Sequence, residues 1–206
     1  FMDDFVPTKV FSSIDRQGRY GYSNQPNLAA WNMEQLATAL LPLAENTEAT
    51  IARYTEIVKG FGDIFEAEYA KVFAAKLGLS TSSQSSALIQ QFLKMMGQTG
   101  ADFTQSFRAL GSGEVARHIG EHPEFVSWHE KWLVSADLTR LKQINPALIP
   151  RNHLVEAMID QSVAGNMQMF HVLHAALQTP FVTPPNPEFM EPPKAHEVVQ
   201  ATFCGT

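Results

Sequence analysis

The chain has 206 residues, 45% hydrophobic and 17% charged, a balance that supports a buried core and excludes disorder over most of its length. Its formal charge of −6, without any lysine or arginine run, excludes the basic footprint that displaces counterions from a nucleic-acid backbone. No stretch approaches the roughly 18 consecutive apolar residues of a membrane span, and one cysteine, Cys204, excludes an internal disulfide framework, so a reducing, cytoplasmic setting is expected.

The chain opens on Phe1-Met2-Asp3-Asp4 without an initiating Met and is expected to be a piece of a larger protein. Residues 1–25 show no sustained helical period. Pro7, Gly18 and Gly21 punctuate them, so an irregular but ordered loop is expected. Ser23-Asn24-Gln25-Pro26 is a helix start, with Asn24 or Ser23 as cap and Pro26 pre-set for the first turn. Trp31, Leu36, Leu40 and Leu43 follow on roughly one face.

From Thr47 to Leu77, Ile51, Tyr54, Val58, Phe61, Phe65, Tyr69 and Val72 recur at steps of three and four, the stripe of one long helix. Gly60 and Gly62 mark a bend or close packing in its middle, and Gly78 a stop. The serine-rich stretch Ser80–Ser86 reads as a connector. Leu88, Phe92 and Met95 define the next helix, ended by Gly97 and Gly100, and Asp102 opens a short one with Phe103, Phe107 and Leu110. Helices are also predicted over Glu124–Leu138 with Phe125, Trp128 and Trp132 inward, from Pro150 to Val163, and from Met167 to Leu177. Six of the twelve prolines lie between Pro180 and Pro193, so residues 180–206 read as an extended tail. No strand pair is predicted: the fold class is all-α, with a loop (1–25), a helical domain (26–179) and a Pro-rich tail (180–206).

Few residues group into chemistry. His118-Ile119-Gly120-Glu121-His122 matches the inverted zinc-peptidase pattern, which needs both imidazoles on one helical face. Gly120 loosens that turn and Pro123 pushes His122 out of α geometry, so a polar turn between helices is expected instead. His171 and His174, three apart, and the isolated His129 and His153 lack partners at ligand spacing. Gly60-Phe61-Gly62 and Gly111-Ser112-Gly113 lack the preceding strand of a phosphate cradle and read as bend and turn. Asp3, Asp4 and Asp15 carry two readings, metal-adjacent carboxylates or solvated and capping loop residues. Cys204 is either an accessible redox thiol or an idle one, with Phe203 beside it as a docking anchor.

Several short stretches in order, Phe1-Met2-Asp3, Gly18-Arg19-Tyr20 with Tyr22, Asn24-Gln25-Pro26, Trp31-Asn32, Leu36-Ala37, Asp102-Phe103-Thr104, Phe107-Arg108 with Leu110, Asn145-Pro146, Pro150-Arg151-Asn152-His153 and Thr202-Phe203-Cys204-Gly205-Thr206, resemble the selenoprotein O family, also called YdiU. The resemblance implies a protein-kinase-like fold that transfers AMP from ATP to protein hydroxyls with a divalent metal, Mg²⁺ or Mn²⁺. It places this chain at the activation segment and the helical part of the C-lobe. The family's glycine-rich loop, ATP lysine, catalytic-loop Asp and Asn and metal-binding Asp would precede Phe1, so no catalytic, nucleotide or metal residue is assigned here and the chain alone is expected to be inactive. Asp3, Asp15, Arg19 and Tyr20 become candidates for a substrate-facing loop, or for residues that pin that loop to the helices. Cys204 matches the family's C-terminal redox position, whose partner position holds Phe11. The alternative is a non-enzymatic helical interaction domain that docks through its tryptophans and its Pro-rich tail.

Overall fold

The computed structural model describes residues 2–116 and 118–202. Their regular structure is helical, and the one β-bridge among them is the isolated antiparallel pair Asp4–Asp102. That bridge anchors the irregular opening. Phe5 N–H donates to Ala101 O at 2.9 Å and Phe103 N–H to Asp3 O at 2.8 Å, while Phe5 stacks on Phe103 at 5.7 Å. Two apolar residues, Met2 and Phe5, are thereby buried in the core although their segment has no period of its own.

A 3₁₀ turn (Tyr22–Asn24) leads into α1 (Gln25–Leu40). Asn24 is the N-cap, yet its side chain makes no capping bond; its amide donates to Arg19 O at 2.6 Å and so ties the loop to the helix. The long helix expected from Thr47 to Leu77 is two helices, α2 (Thr47–Lys59) and α3 (Phe61–Lys76), with Gly60 as the C-cap of one and the N-cap of the other. Gly60 has no Cβ to hold the chain in one α cylinder, and breaking there lets the aromatic run Phe61, Phe65, Tyr69, Phe73 pack independently of α2. Ile51 and Val72, both on the predicted stripe, stay about half exposed for the same reason.

Ser82 and Ser85 form a reciprocal capping box for α4 (Ser83–Thr99), so the serine stretch is a helix start as well as a connector. Gly97 lies inside α4, and Gly100, left-handed at φ 62°, ends it. Asp102 caps α5 (Phe103–Leu110) by accepting from Gln105 N–H at 2.7 Å. The helix predicted over Glu124–Leu138 is shorter, α6 (Phe125–Leu133), followed by a 3₁₀ turn at Leu138–Arg140 and α7 (Leu141–Ile144). Beyond the C-cap Val134 the chain is held by Asp137, whose N–H bonds to Gly78 O and whose carboxylate caps Thr139. Then come α8 (Asn152–Val163), with Arg151 as N-cap, and α9 (Gln168–Leu177).

The main core joins the opening segment to α3, α4, α5, α6 and α7, with Phe92, Phe107, Trp128 and Trp132 at its centre. A smaller core holds Leu148, Leu154 from α8, Leu173 from α9 and Phe189. Phe189 belongs to a 3₁₀ turn, Pro187–Met190, that the tail forms as it crosses the molecule. The tail is therefore a packed strap over its first half. No helix among the described residues is long and apolar enough to cross a membrane.

Candidate functional site

Asp15, Arg19 and Tyr20 meet in the opening loop. The Asp15 carboxylate accepts the N–H groups of Arg19 and Tyr20 at 2.9 and 2.7 Å, closing a turn in which Gly18 takes φ 68°, a conformation a side chain would strain. The Arg19 guanidinium then lies 4.4 Å from the Trp31 ring centroid and 5.9 Å from that of Tyr20, which fixes its direction against α1. These three residues, with Phe11, Ile14 and Gln25, line an open groove of about 710 Å³.

Asp3 lies apart from that groove. Arg151, 1% exposed, donates to Asp3, to Asp102 Oδ2 at 2.7 Å and Oδ1 at 3.2 Å, and to Met190 O at 3.0 Å. Burial by itself would pull the guanidinium down; the hydrogen bonds and charges of Asp102 and Asp3 outweigh it and hold Arg151 above its ordinary value. One cation thus locks the opening segment, the cap of α5, the start of α8 and the tail. Asp4, on the bridge, is pushed upward by partial burial and by the charges of Asp102 and Asp3. The acidic residues do not form a metal cradle: Asp3 and Asp102 are committed to Arg151, Asp15 caps backbone, and no group of three ligand residues exists among the described ones.

The tail returns to the loop beside Phe11. Ser13 N–H donates to Thr202 O at 2.8 Å, Thr202 N–H to Ser13 Oγ at 3.0 Å and Thr202 Oγ1 to Phe11 O at 2.6 Å. Phe203 and Cys204 lie outside the described residues, as does Phe1. Thr202→Val removes one donor of this clasp, worth about 1 kcal/mol. The Ser13 amide is expected to exchange with deuterium about fivefold faster while core amides are unchanged; unaltered exchange at Ser13 would show the clasp to be idle.

Lys76, at the end of α3, is the second desolvated cation. Its ammonium donates to Asn145 Oδ1 at 3.0 Å, and sits 4.6 and 5.5 Å from the Phe107 and Phe103 centroids. Asn145, fully buried, returns a bond from its amide to Lys76 O at 2.8 Å. Burial pushes Lys76 down to about 8 from its ordinary 10.5. Between those values the unfolded chain binds more protons than the folded one, so this group makes stability rise with pH across that window. Relative to Lys76→Met, the wild type should gain about 2–3 kcal/mol between pH 8 and 10.5 in urea unfolding; parallel profiles would contradict it.

The histidines remain separate. His118 has φ 72°, Ile119–Glu121 is a 3₁₀ turn and His122 is extended, so the zinc-peptidase pattern forms no α-helical face. His122 Nε2 instead faces Gln98 Oε1 at 3.0 Å. His171 and His174 are exposed, the latter stacked on Phe170 at 5.7 Å. His153 carries a buried, unpartnered Nδ1, and burial lowers its pKa against the raising charges of Asp3 and Glu197.

The family model described as Protein adenylyltransferase SelO matches residues 1–178. The chain belongs to the SelO family. Among its relatives are the protein called Protein nucleotidyltransferase YdiU in Ruegeria pomeroyi, 42% identical over the whole of this chain and 45% of the relative, and that of Jannaschia sp., 42% identical over the whole chain and 46% of the relative. The protein of the same name in Rhizobium etli is 34% identical over all of this chain and 45% of its own. This SelO-family chain therefore spans about half the length of the curated relatives it matches.

Two features of this SelO-family chain escaped the sequence reading. The Arg151 cluster joins residues 148 positions apart, and no local pattern announces it. Lys76 did leave a signal: it falls four positions after Val72 and seven after Tyr69, a cation on an apolar helical stripe.

Proposed function

We propose that this chain is the helical half of a kinase-like protein adenylyltransferase of the bacterial cytoplasm, which moves AMP from ATP to hydroxyl side chains of proteins with Mg²⁺ or Mn²⁺. The reading is carried by family membership over residues 1–178, and supported by the relatives' name as protein nucleotidyltransferases. The nucleotide, metal and catalytic groups belong to the half that these residues do not supply. The contribution of this chain is to position: Arg151 sets the opening segment rigidly against α5, and the turn closed by Asp15 offers Arg19 and Tyr20 along an open groove. In this reading Asp15, Arg19 and Tyr20 receive the protein substrate, Asp3 holds the segment that leads to them, and Cys204 is a redox thiol.

Calorimetry of the 206-residue chain with ATP and Mg²⁺ is expected to give no specific binding; micromolar affinity would overturn the division of labour. In a family protein of full length carrying this chain, Arg19→Ala should lower AMP transfer to protein substrate by about tenfold, the loss of one contact of about 1.4 kcal/mol, with ATP affinity unchanged. Equal transfer by the variant would remove Arg19 from the substrate groove.

The interaction-domain alternative keeps one observation in its favour, the exposed Leu36, Ile51, Ile57 and Ile64 on α1–α3 and Leu43 in the 3₁₀ turn between α1 and α2. It loses two of its three tryptophans, since Trp128 and Trp132 are buried and only Trp31 reaches solvent.

A further inference from the structure

Beside the loop groove, and sharing Phe11 and Gln25 with it, lies a second cavity of about 530 Å³ between the opening segment, α1, α3, α5 and the Asn145–Ile149 stretch. Its walls are mainly apolar, from Met2, Phe11, Phe103, Pro146 and Ile149, with Gln25, Thr104 and Tyr22 as polar points. Lys76 is the only charged residue among the described residues that line it. No carboxylate of the described residues lies within ion-pair distance of Lys76. The other charge at Asn145 is also positive: Arg108, from α5, donates to Lys142 O at 2.6 Å and Asn145 O at 2.9 Å. The nearby carboxylates Asp3 and Asp102 are occupied by Arg151.

A half-buried ammonium kept without a counter-charge costs desolvation energy that two aromatic faces and one amide oxygen offset only in part. The missing component is one negative charge. A cavity within the usual 300–1,000 Å³ of small-ligand sites, apolar apart from a few polar groups and one cation, selects an apolar body with a single anionic head. A phosphate dianion fits poorly, since a lone ammonium would leave its second charge uncompensated in an apolar surround.

We propose that the Lys76 cavity is a binding site for a carboxylate carried on an apolar group, with Lys76 as its counter-ion and Met2, Phe11, Phe103 and Ile149 as its apolar walls. The site stands independently of AMP transfer. Neutralising Lys76 this way also restores its protonation, so ligand binding and the lysine's titration are linked.

The test uses 4-phenylbutyrate as probe and its neutral amide, 4-phenylbutyramide, as comparator on the wild-type chain, followed by NMR of ¹³C-dimethylated lysines, with Lys76 assigned through Lys76→Arg. The acid is expected to bind at least about tenfold tighter than the amide, about 1.4 kcal/mol of charge recognition. Saturation should move the Lys76 titration from near 8 back toward 10.5. Lys76→Met should lose the preference for acid over amide, and Lys76→Arg should keep it, with far-UV circular dichroism confirming that both fold. Equal affinity for acid and amide, binding of the acid by Lys76→Met as tightly as by the wild type, or a ligand-free Lys76 titrating near 10.5 would each overturn the site.

Discussion

Arg151→Met is expected to destabilise the chain by about 3–5 kcal/mol, the cost of breaking a buried ion pair from one side. Met replaces the stem volume, so the loss is electrostatic more than steric. It strands the Asp102 carboxylate, 7% exposed, leaves Asp3, 24% exposed, without its cation, and takes one donor from Met190 O, which keeps Gln105 Nε2. Adding Asp102→Asn to the same chain removes the stranded charge while its amide oxygen still caps Gln105, so the double variant should recover about 1–2 kcal/mol of the loss. Urea unfolding of wild type, single and double variants reads all three values. If the double variant is less stable than Arg151→Met, the cluster is held by its shape and the ion-pair account fails.

The same cluster shows where sequence reading stops. Asp102 was legible as a helix start, because an acidic residue before Phe103 and after Gly100 is a capping pattern, and the structure gives it that bond. Its second role depends on Arg151, which lies 49 positions away and carries no periodic mark. The Gly100 stop, the inward Phe125, Trp128 and Trp132 and the almost strand-free fold were likewise readable, since caps and apolar spacing act over one or two turns, whereas the serine stretch read as a connector and its Ser82–Ser85 capping box did not. The break at Gly60 was visible as a weakness but not as an end, because a glycine permits both a bend and a stop and only packing of Phe61–Phe73 chooses.

Exposure was the least legible quantity. An apolar stripe predicts a face that prefers contact, and on α1 and the 3₁₀ turn Leu41–Leu43 that follows it the stripe exists without being covered: Leu36 is 60% and Leu43 81% exposed. For the loop, the dense Gly18–Tyr22 stretch did mark an ordered turn, yet which carboxylate served it was open. Asp15 closes the turn, whereas Asp3 is drawn to the buried Arg151, which it shares with Asp102 and Met190 O.

Trp132→Ala is expected to cost about 3–5 kcal/mol, the range for deleting a large buried side chain and leaving part of its volume empty. Trp132 is 1% exposed and stacks on Trp128 at 5.7 Å with the planes 7° apart, which in turn stacks on Phe92 at 4.6 Å. The ring also has a polar duty. Its Nε1–H donates to Leu77 O at 2.7 Å, one residue beyond the end of α3 and one before Gly78. Trp132→Phe keeps most of the aromatic surface and drops only that donor, so it should lose about 1–3 kcal/mol, the penalty of a buried unpaired carbonyl. Because Leu77 follows Lys76 directly, loosening this carbonyl should let water reach the ammonium and raise the Lys76 titration toward 10.5 in Trp132→Phe, measured by NMR of the labelled lysine. A variant as stable as wild type would show the indole bond to be dispensable, and the end of α3 to be held by apolar packing alone.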